Sequence, residues 1–285
     1  MNSAAAQASS LAGKLAGQRL ALIGAGNMGF AMLQGWATGG LAGDSVAVIE
    51  PNPSPQLRDL CVGRGFPLLP APEKGDVRDA VVLAIKPQML DAGAAAVGPL
   101  VGPQTLIVSI LAGKRIVDLS ARLPGASAFV RAMPNTPAAV GRGITGAIAS
   151  SATDADKRAC ADALLTAIGK VEWLDDESQI DALTAVSGCG PAYVFYLVEA
   201  LAAAGVDAGL PATLAERLAR ATVEGAGELL YRQPEIAAAT LRERVTSPGG
   251  ATAAALTVLM ANDGLAPLVA RSVAAAKRRA GELSG

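Results

Sequence analysis

The chain has 285 residues, of which 51% are hydrophobic and 17% charged, enough apolar volume for one large domain or two ordinary ones. Its 24 basic and 25 acidic side chains leave a net charge of −1, with no basic footprint for nucleic acid. It contains no histidine, which removes Ser-His-Asp hydrolysis, histidine-ligated zinc and histidine-assisted ketone reduction.

The first eighteen residues are small and polar and lack the apolar run of a signal peptide, so the expectation over 1–18 is a disordered or frayed extension. Arg19-Leu-Ala-Leu-Ile-Gly24 then reads as a buried strand, followed by a helix from about Met28 to Ala37. Between them lies Gly24-Ala25-Gly26-Asn27-Met28-Gly29. In such a spacing Gly24 allows the tight turn, Gly26 lets the backbone approach a pyrophosphate, and Gly29 lets helix pack on strand. The helix N-terminus adds free amides and partial positive charge for phosphates.

Ser45 to Glu50 is a second strand, with a helix over Pro55 to Arg64. Glu50 ends that strand about 20 residues past the glycine turn, where an acidic side chain meets a ribose hydroxyl in dinucleotide sites. The uncharged Asn52 and Ser54 just beyond it could equally meet a 2′-phosphate, so both nicotinamide forms stay open. Further strands are expected over Asp79–Ile85, Thr105–Ile110 and Ala126–Arg131, and edge strands over Gly143–Ser150 and Lys170–Leu174. Apolar strands alternating with helices imply a parallel sheet covered on both faces. Ala92 to Gly113 is uncharged, but its two Gly-Pro pairs argue for a helix end, a turn and a strand over a membrane span.

Past about Glu177 the strand signal stops. Helices are expected over Gln179–Val186, Ala192–Ala204, Pro211–Tyr231, Ile236–Val245, Ala251–Ala261 and from Leu265 onward. The fold class is therefore α/β: a Rossmann-type dinucleotide-binding domain over 19–175, then an all-α substrate and oligomerisation domain over 176–285. So alanine-rich a half has little aromatic volume and calls for a second copy. Cys61, Cys160 and Cys189 form no CxxC pair, so they read as free thiols in a reducing, cytoplasmic setting, with no metal site. In Thr246-Ser-Pro-Gly-Gly-Ala-Thr252 two hydroxyls flank a turn entering a helix. That is either an anion nest suited to a carboxylate or an ordinary capped turn.

Several segments together resemble the pyrroline-5-carboxylate reductase family from about Arg19 onward. They are Val82-Leu-Ala-Ile-Lys-Pro-Gln88, Ser109-Ile-Leu-Ala-Gly113, Val130-Arg-Ala-Met-Pro-Asn-Thr-Pro137, Ser187-Gly-Cys-Gly-Pro-Ala-Tyr193 and, most specifically, Leu241-Arg-Glu-Arg-Val-Thr-Ser-Pro-Gly-Gly-Ala-Thr252. The resemblance implies hydride transfer from NADPH, with NADH possible, to the C=N of 1-pyrroline-5-carboxylate, giving L-proline, in a soluble homodimer or assembly of dimers that takes no nucleic acid or membrane. It implies that Ala84, Ile85, Lys86, Pro87, Ala112, Gly113, Asn135 and Thr136 join Gly24, Gly26, Asn27, Met28, Gly29, Glu50 and Asn52 around the cofactor. Substrate then falls to Gly188, Gly190, Ser247, Gly249, Gly250, Ala251 and Thr252, with Thr252 the residue closest to catalysis. Lys86 more simply shapes its loop, and Tyr193 is a core or subunit contact. Cys189, Thr257 and Met260 depart from the family's usual Ser, His and Glu.

A protonated imine is already electrophilic, so a histidine-free chain can reduce it by orienting it and excluding water. The β-hydroxyacid dehydrogenases share the layout but use a lysine in the helical half. Here none lies between Lys170 and Lys277. A non-catalytic nucleotide sensor would leave the Thr246 to Thr252 turn unexplained.

Overall fold

The computed structural model describes residues 11–284. Its sheet is built from β1 (Leu20–Ile23), β2 (Val46–Ile49), β3 (Leu68–Leu69), β4 (Ala80–Leu83), β5 (Leu106–Ser109), β6 (Ala128–Met133), β7 (Gly143–Ala149) and β8 (Gly169–Trp173). The order is β3-β2-β1-β4-β5-β6-β7-β8. All pairs are parallel except β6 with β7.

Side chains alternate across the strands, and the core splits accordingly. Leu20, Leu22, Val46, Val48, Val82 and Val108 face the Asn27–Thr38 and Ala155–Thr166 helices, around the fully buried Trp36. Ala21, Ile23, Val81, Leu83, Ile107 and Phe129 face the Leu90–Val97 and Ile116–Arg122 helices. This two-sided burial is why the strands read as continuous apolar runs.

The structure departs from the sequence expectations at three points. Gly143–Ser150 was expected at an edge, yet β7 lies between β6 and β8. Its small, almost wholly buried residues suit a covered position. The edge strand β3 carries no readable signal in two residues. Of the expected frayed extension, the first ten residues lie outside the described ones, but 11–14 are helical and Leu11 and Leu15 are buried against the core. Leu15→Ala should therefore cost about 2–5 kcal/mol of stability, where a frayed residue would cost nothing. A thermal melt beside wild type measures it.

The uncharged Ala92–Gly113 stretch resolves into the end of the Leu90–Val97 helix, a 3₁₀ turn at Gly98–Leu100, and β5. By length and composition one helical stretch, Gln179–Asp207, could cross a membrane. Cys61 and Cys160 are buried free thiols. Burial, reinforced by the nearby Asp79 charge, pushes Cys160 up to about 12.

The chain divides into two units. One holds the described residues up to Gly188 together with Arg278 to Ser284. The other runs from Cys189 to Lys277. The second contains the Gly190–Asp207, Ala212–Arg232, Ala238–Arg244 and Ala251–Leu259 helices and most of Leu265–Leu283. Its first two helices approach closely where Gly205 meets Ala215. Among its described residues the only buried apolar side chains are Ala215 and Ala219. Phe195, Tyr196, Leu201, Leu229, Leu230, Leu268 and Val269 all stand exposed.

Candidate active site

In an open α/β sheet, ligands bind beyond the carboxyl ends of the strands where the connection order reverses. Here that point lies between β1, whose connection runs to β2, and β4, which starts the opposite half. Both expected cofactor segments leave the sheet there. Gly24 follows β1 at φ +83°, and its N–H donates to the Ile49 carbonyl at 2.9 Å. A Cβ on Gly24 would stand 2.9 Å from the Ala84 carbonyl oxygen and the Ile85 side chain. Gly29 is tighter still, its Cβ position lying 2.4 Å from the Gly24 carbonyl oxygen and 3.1 Å from the Ala84 Cβ. Gly26, at the helix N-cap, has no protein atom within 4 Å of its Cβ position. No side chain caps this helix, so its first amides, those of Asn27, Met28 and Gly29, have no partner within it. Two glycines are closed against protein and one is open: a cradle fitted to a pyrophosphate.

Glu50 has a task the sequence did not reveal. Its Oε2 accepts the Ala25 N–H and its Oε1 the Asn52 N–H, each at 3.0 Å, bracing the glycine turn against the loop after β2. Ser54 is similarly engaged, accepting the Leu57 N–H as a helix cap. Ala84 is tied to β1 through its N–H on the Ile23 carbonyl, and exposed Lys86 precedes the Pro87–Met89 3₁₀ turn. After β5, Ala112 is exposed and Gly113 takes φ +72°.

Asn135, expected at the nicotinamide end, has half of its amide's hydrogen-bonding capacity committed inside the protein. Its Oδ1 accepts the Ile144 N–H at 2.9 Å and its Nδ2 donates to the Ser187 carbonyl at 3.0 Å. One amide hydrogen and one lone pair of Oδ1 are left for a ligand. Thr136 beside it is exposed. The same contacts join two motifs remote in sequence, since Gly188 also packs on the Met133 side chain. Thr184–Gly188 forms a π-helical turn, a feature frequent at functional sites.

In the second unit, Gly190 opens the Gly190–Asp207 helix. The Thr246 to Thr252 turn is built around Gly249 at φ +70° and ends at Gly250, the N-cap of the Ala251–Leu259 helix, again without a side-chain cap. Two donors are spent internally. Gly250 N–H donates to the Ser247 carbonyl at 3.0 Å, and the Thr246 hydroxyl donates to the Arg242 carbonyl at 2.7 Å. The Gly250 amide, on the expected substrate side, is thus engaged within the turn. Ser247, Ala251 and Thr252 are exposed, with the first-turn amides beside them. Residues 177–283 match the family described as pyrroline-5-carboxylate reductase dimerisation, and 19–113 match a coenzyme F420-dependent NADP oxidoreductase family. The pyrroline-5-carboxylate reductase of Pseudomonas aeruginosa is 39% identical over 269 residues, spanning 93% of this chain and 97% of that one.

The chain belongs to the pyrroline-5-carboxylate reductase family.

The solved reductase of Coxiella burnetii superposes at a TM-score of 0.85 with 33% identity, covering 94% of this chain and 99% of its own. That of Plasmodium falciparum, solved with NADP bound, gives 0.77 at 25% identity and covers 94% and 99%. Set in this family, the departures have visible settings. Cys189 stands half-buried just before the Gly190–Asp207 helix. Burial first, then the neighbouring Cys189, pushes the Tyr193 phenol above its ordinary range. Thr257 and Met260 are exposed, and the Thr257 hydroxyl donates back to the Ala254 carbonyl of its own helix. Sequence reading passed over Glu177 and Asp181, whose partners lie far along the chain. Arg131, a charge inside an apolar strand, was the available sign that a carboxylate comes to meet it.

Proposed function

We propose that this chain reduces 1-pyrroline-5-carboxylate to L-proline with a reduced nicotinamide dinucleotide, NADPH or NADH. The observation carrying this reading is family similarity along nearly the whole chain, with the glycine turn intact at the topological switch point. When bound, NAD(P)H supplies the hydride that adds to the imine carbon. The protein's work is to hold the reacting partners and exclude water.

Gly24, Gly26, Asn27, Met28 and Gly29 receive the pyrophosphate, and Glu50 and Asn52 border the adenosine ribose. Ala84 to Pro87, Ala112, Gly113, Asn135 and Thr136 line the path to the nicotinamide. Gly188, Gly190, Ser247, Gly249, Ala251 and Thr252 form the substrate side, Gly249 as the bend and Ala251 and Thr252 through their amides. The Thr252 hydroxyl meets the substrate and helps supply the imine proton. The division of labour is a dinucleotide-binding domain over 19–175 and a helical domain over 176–285. In that helical half a second copy covers the exposed Phe195, Tyr196, Leu229 and Leu230, making a homodimer or an assembly of dimers. This use of the apolar Gln179–Asp207 stretch leaves it no membrane role. The enzyme is cytoplasmic and takes no nucleic acid.

The test is oxidation of NADPH and of NADH, followed by absorbance, with pyrroline-5-carboxylate and with a hydroxyacid control. Turnover with the imine alone is expected. Folded, cofactor-binding protein that leaves the imine unreduced would falsify the proposal. Light scattering at the 28.5 kDa monomer mass would remove the dimer.

A further inference from the structure

Arg131 lies in β6 opposite Ser109 of β5, with its side chain 5% exposed. A guanidinium taken so far from water must be paired. Its partner, Glu177, arrives from the segment after β8. Glu177 Oε1 accepts from Arg131 Nη1 at 2.9 Å, and the same oxygen accepts the Ile116 N–H at 2.9 Å. Ile116 is the first residue of the Ile116–Arg122 helix, where backbone amides have no partner within the helix. One carboxylate oxygen thus fastens a buried charge of the sheet to the far end of the Leu111–Ile116 loop.

The loop's near end is fixed by the Ser109 hydroxyl, which accepts the Leu111 N–H at 3.3 Å. Its middle rests on the carboxy-terminal turn, since a Cβ on Gly113 would stand 2.6 Å from the Leu283 carbonyl oxygen. That turn also meets Asp181, whose carboxylate shares the Ser284 hydroxyl, at 3.3 Å, with the Ala280 carbonyl, at 3.0 Å. Glu177 and Asp181, four residues apart, therefore serve the same loop, one directly and one through the chain end.

We propose that Glu177 is a positioning residue for the Leu111–Ile116 loop and thereby sets the affinity for the reduced dinucleotide. This rests on the reading that the loop lines the nicotinamide path. Glu177 touches no reacting atom. Its carboxylate fixes the loop's far end at a height determined by the buried arginine of β6, so that Ala112 and Gly113 present a fixed wall. A shared oxygen makes charge pairing and loop anchoring separable. Removing both charges leaves the anchor to depend only on whether an acceptor remains at position 177.

The experiment compares full-length R131M/E177Q with R131M/E177L. Neither carries the buried charge, and only the glutamine can still accept the Ile116 N–H. E177D, which keeps the buried arginine paired while drawing the acceptor back from the Ile116 N–H, is the companion should either double variant fail to fold. The readouts are hydrogen exchange over the Leu111–Ile116 backbone, fluorescence titration with NADPH, and kcat at saturating cofactor. The leucine variant is expected to exchange faster at Ile116 and to bind NADPH up to about tenfold more weakly than the glutamine variant, with kcat within about threefold. Equal exchange in the two overturns the anchor. Faster exchange with unchanged NADPH affinity overturns the step from loop to cofactor, and with it the placement of this loop, while imine reduction by wild type would leave the proposed reaction standing.

Discussion

Gly29→Ala is expected to weaken NADPH binding by about ten- to hundredfold and to lower stability by about 1–3 kcal/mol, the range for overpacking a closed site. The added methyl would stand 2.4 Å from the Gly24 carbonyl oxygen, a backbone atom of the turn itself, and 3.1 Å from Ala84. Neither neighbour is the free end of a flexible side chain. Relief requires the Asn27–Thr38 helix to lift from β1 or the turn to shift, and both displace the helix amides from the pyrophosphate position. Gly26→Ala is the informative partner, because its Cβ meets no protein atom within 4 Å. It should melt near the wild-type temperature yet lose dinucleotide affinity, since only a ligand occupies that space. Calorimetric melts with and without NADPH, beside fluorescence titrations, separate the two effects. A Gly29→Ala protein that binds NADPH as wild type does would remove the turn from the cofactor site.

That turn was legible because its constraint is local. A positive φ at Gly24 and a helix-to-strand contact at Gly29 are demands that only glycine meets within a few residues of sequence. The parallel strands were legible for a similar reason, since burial on both faces leaves unbroken apolar runs such as Ala80–Leu83. What stayed hidden depends on partners far along the chain. Asn135 looks like a free amide in sequence, yet Ser187 and Ile144 take half of its capacity. Glu50 looks like a ribose ligand, and nothing local reveals that it braces Ala25. Glu177 sits in an acidic run whose solvated appearance conceals its bond to Ile116, 61 residues earlier. The burial of Leu11 and Leu15 rests on a single helical repeat in a segment otherwise of small residues, too short a pattern to read. In the helical half, alanine richness did foretell a missing core. The exposed faces of Gly190–Asp207 and Ala212–Arg232 are its structural counterpart, and the match to a dimerisation family accounts for them.

Thr252→Ala is expected to lower kcat/KM for the imine by about ten- to hundredfold, the worth of one charge-assisted hydrogen bond, while leaving NADPH affinity unchanged. Gly250 N–H is spent on Ser247 and the Thr246 hydroxyl on Arg242, so neither offers a donor to a carboxylate. The Ala251 and Thr252 amides at the uncapped helix start remain, together with the Ser247 and Thr252 hydroxyls. Alanine preserves the amide and the helix while deleting the hydroxyl, which makes the substitution a clean probe. Thr252→Ser should restore most of the loss, and Thr252→Val, matched in shape, should not. The kinetic constants then divide the role. A rise in KM alone assigns the hydroxyl to carboxylate binding, whereas an equal fall in kcat and kcat/KM assigns it to the transition state of hydride transfer. If all three variants match wild type in both constants, Thr252 has no part in the reaction, and the amides of the turn must hold the substrate alone.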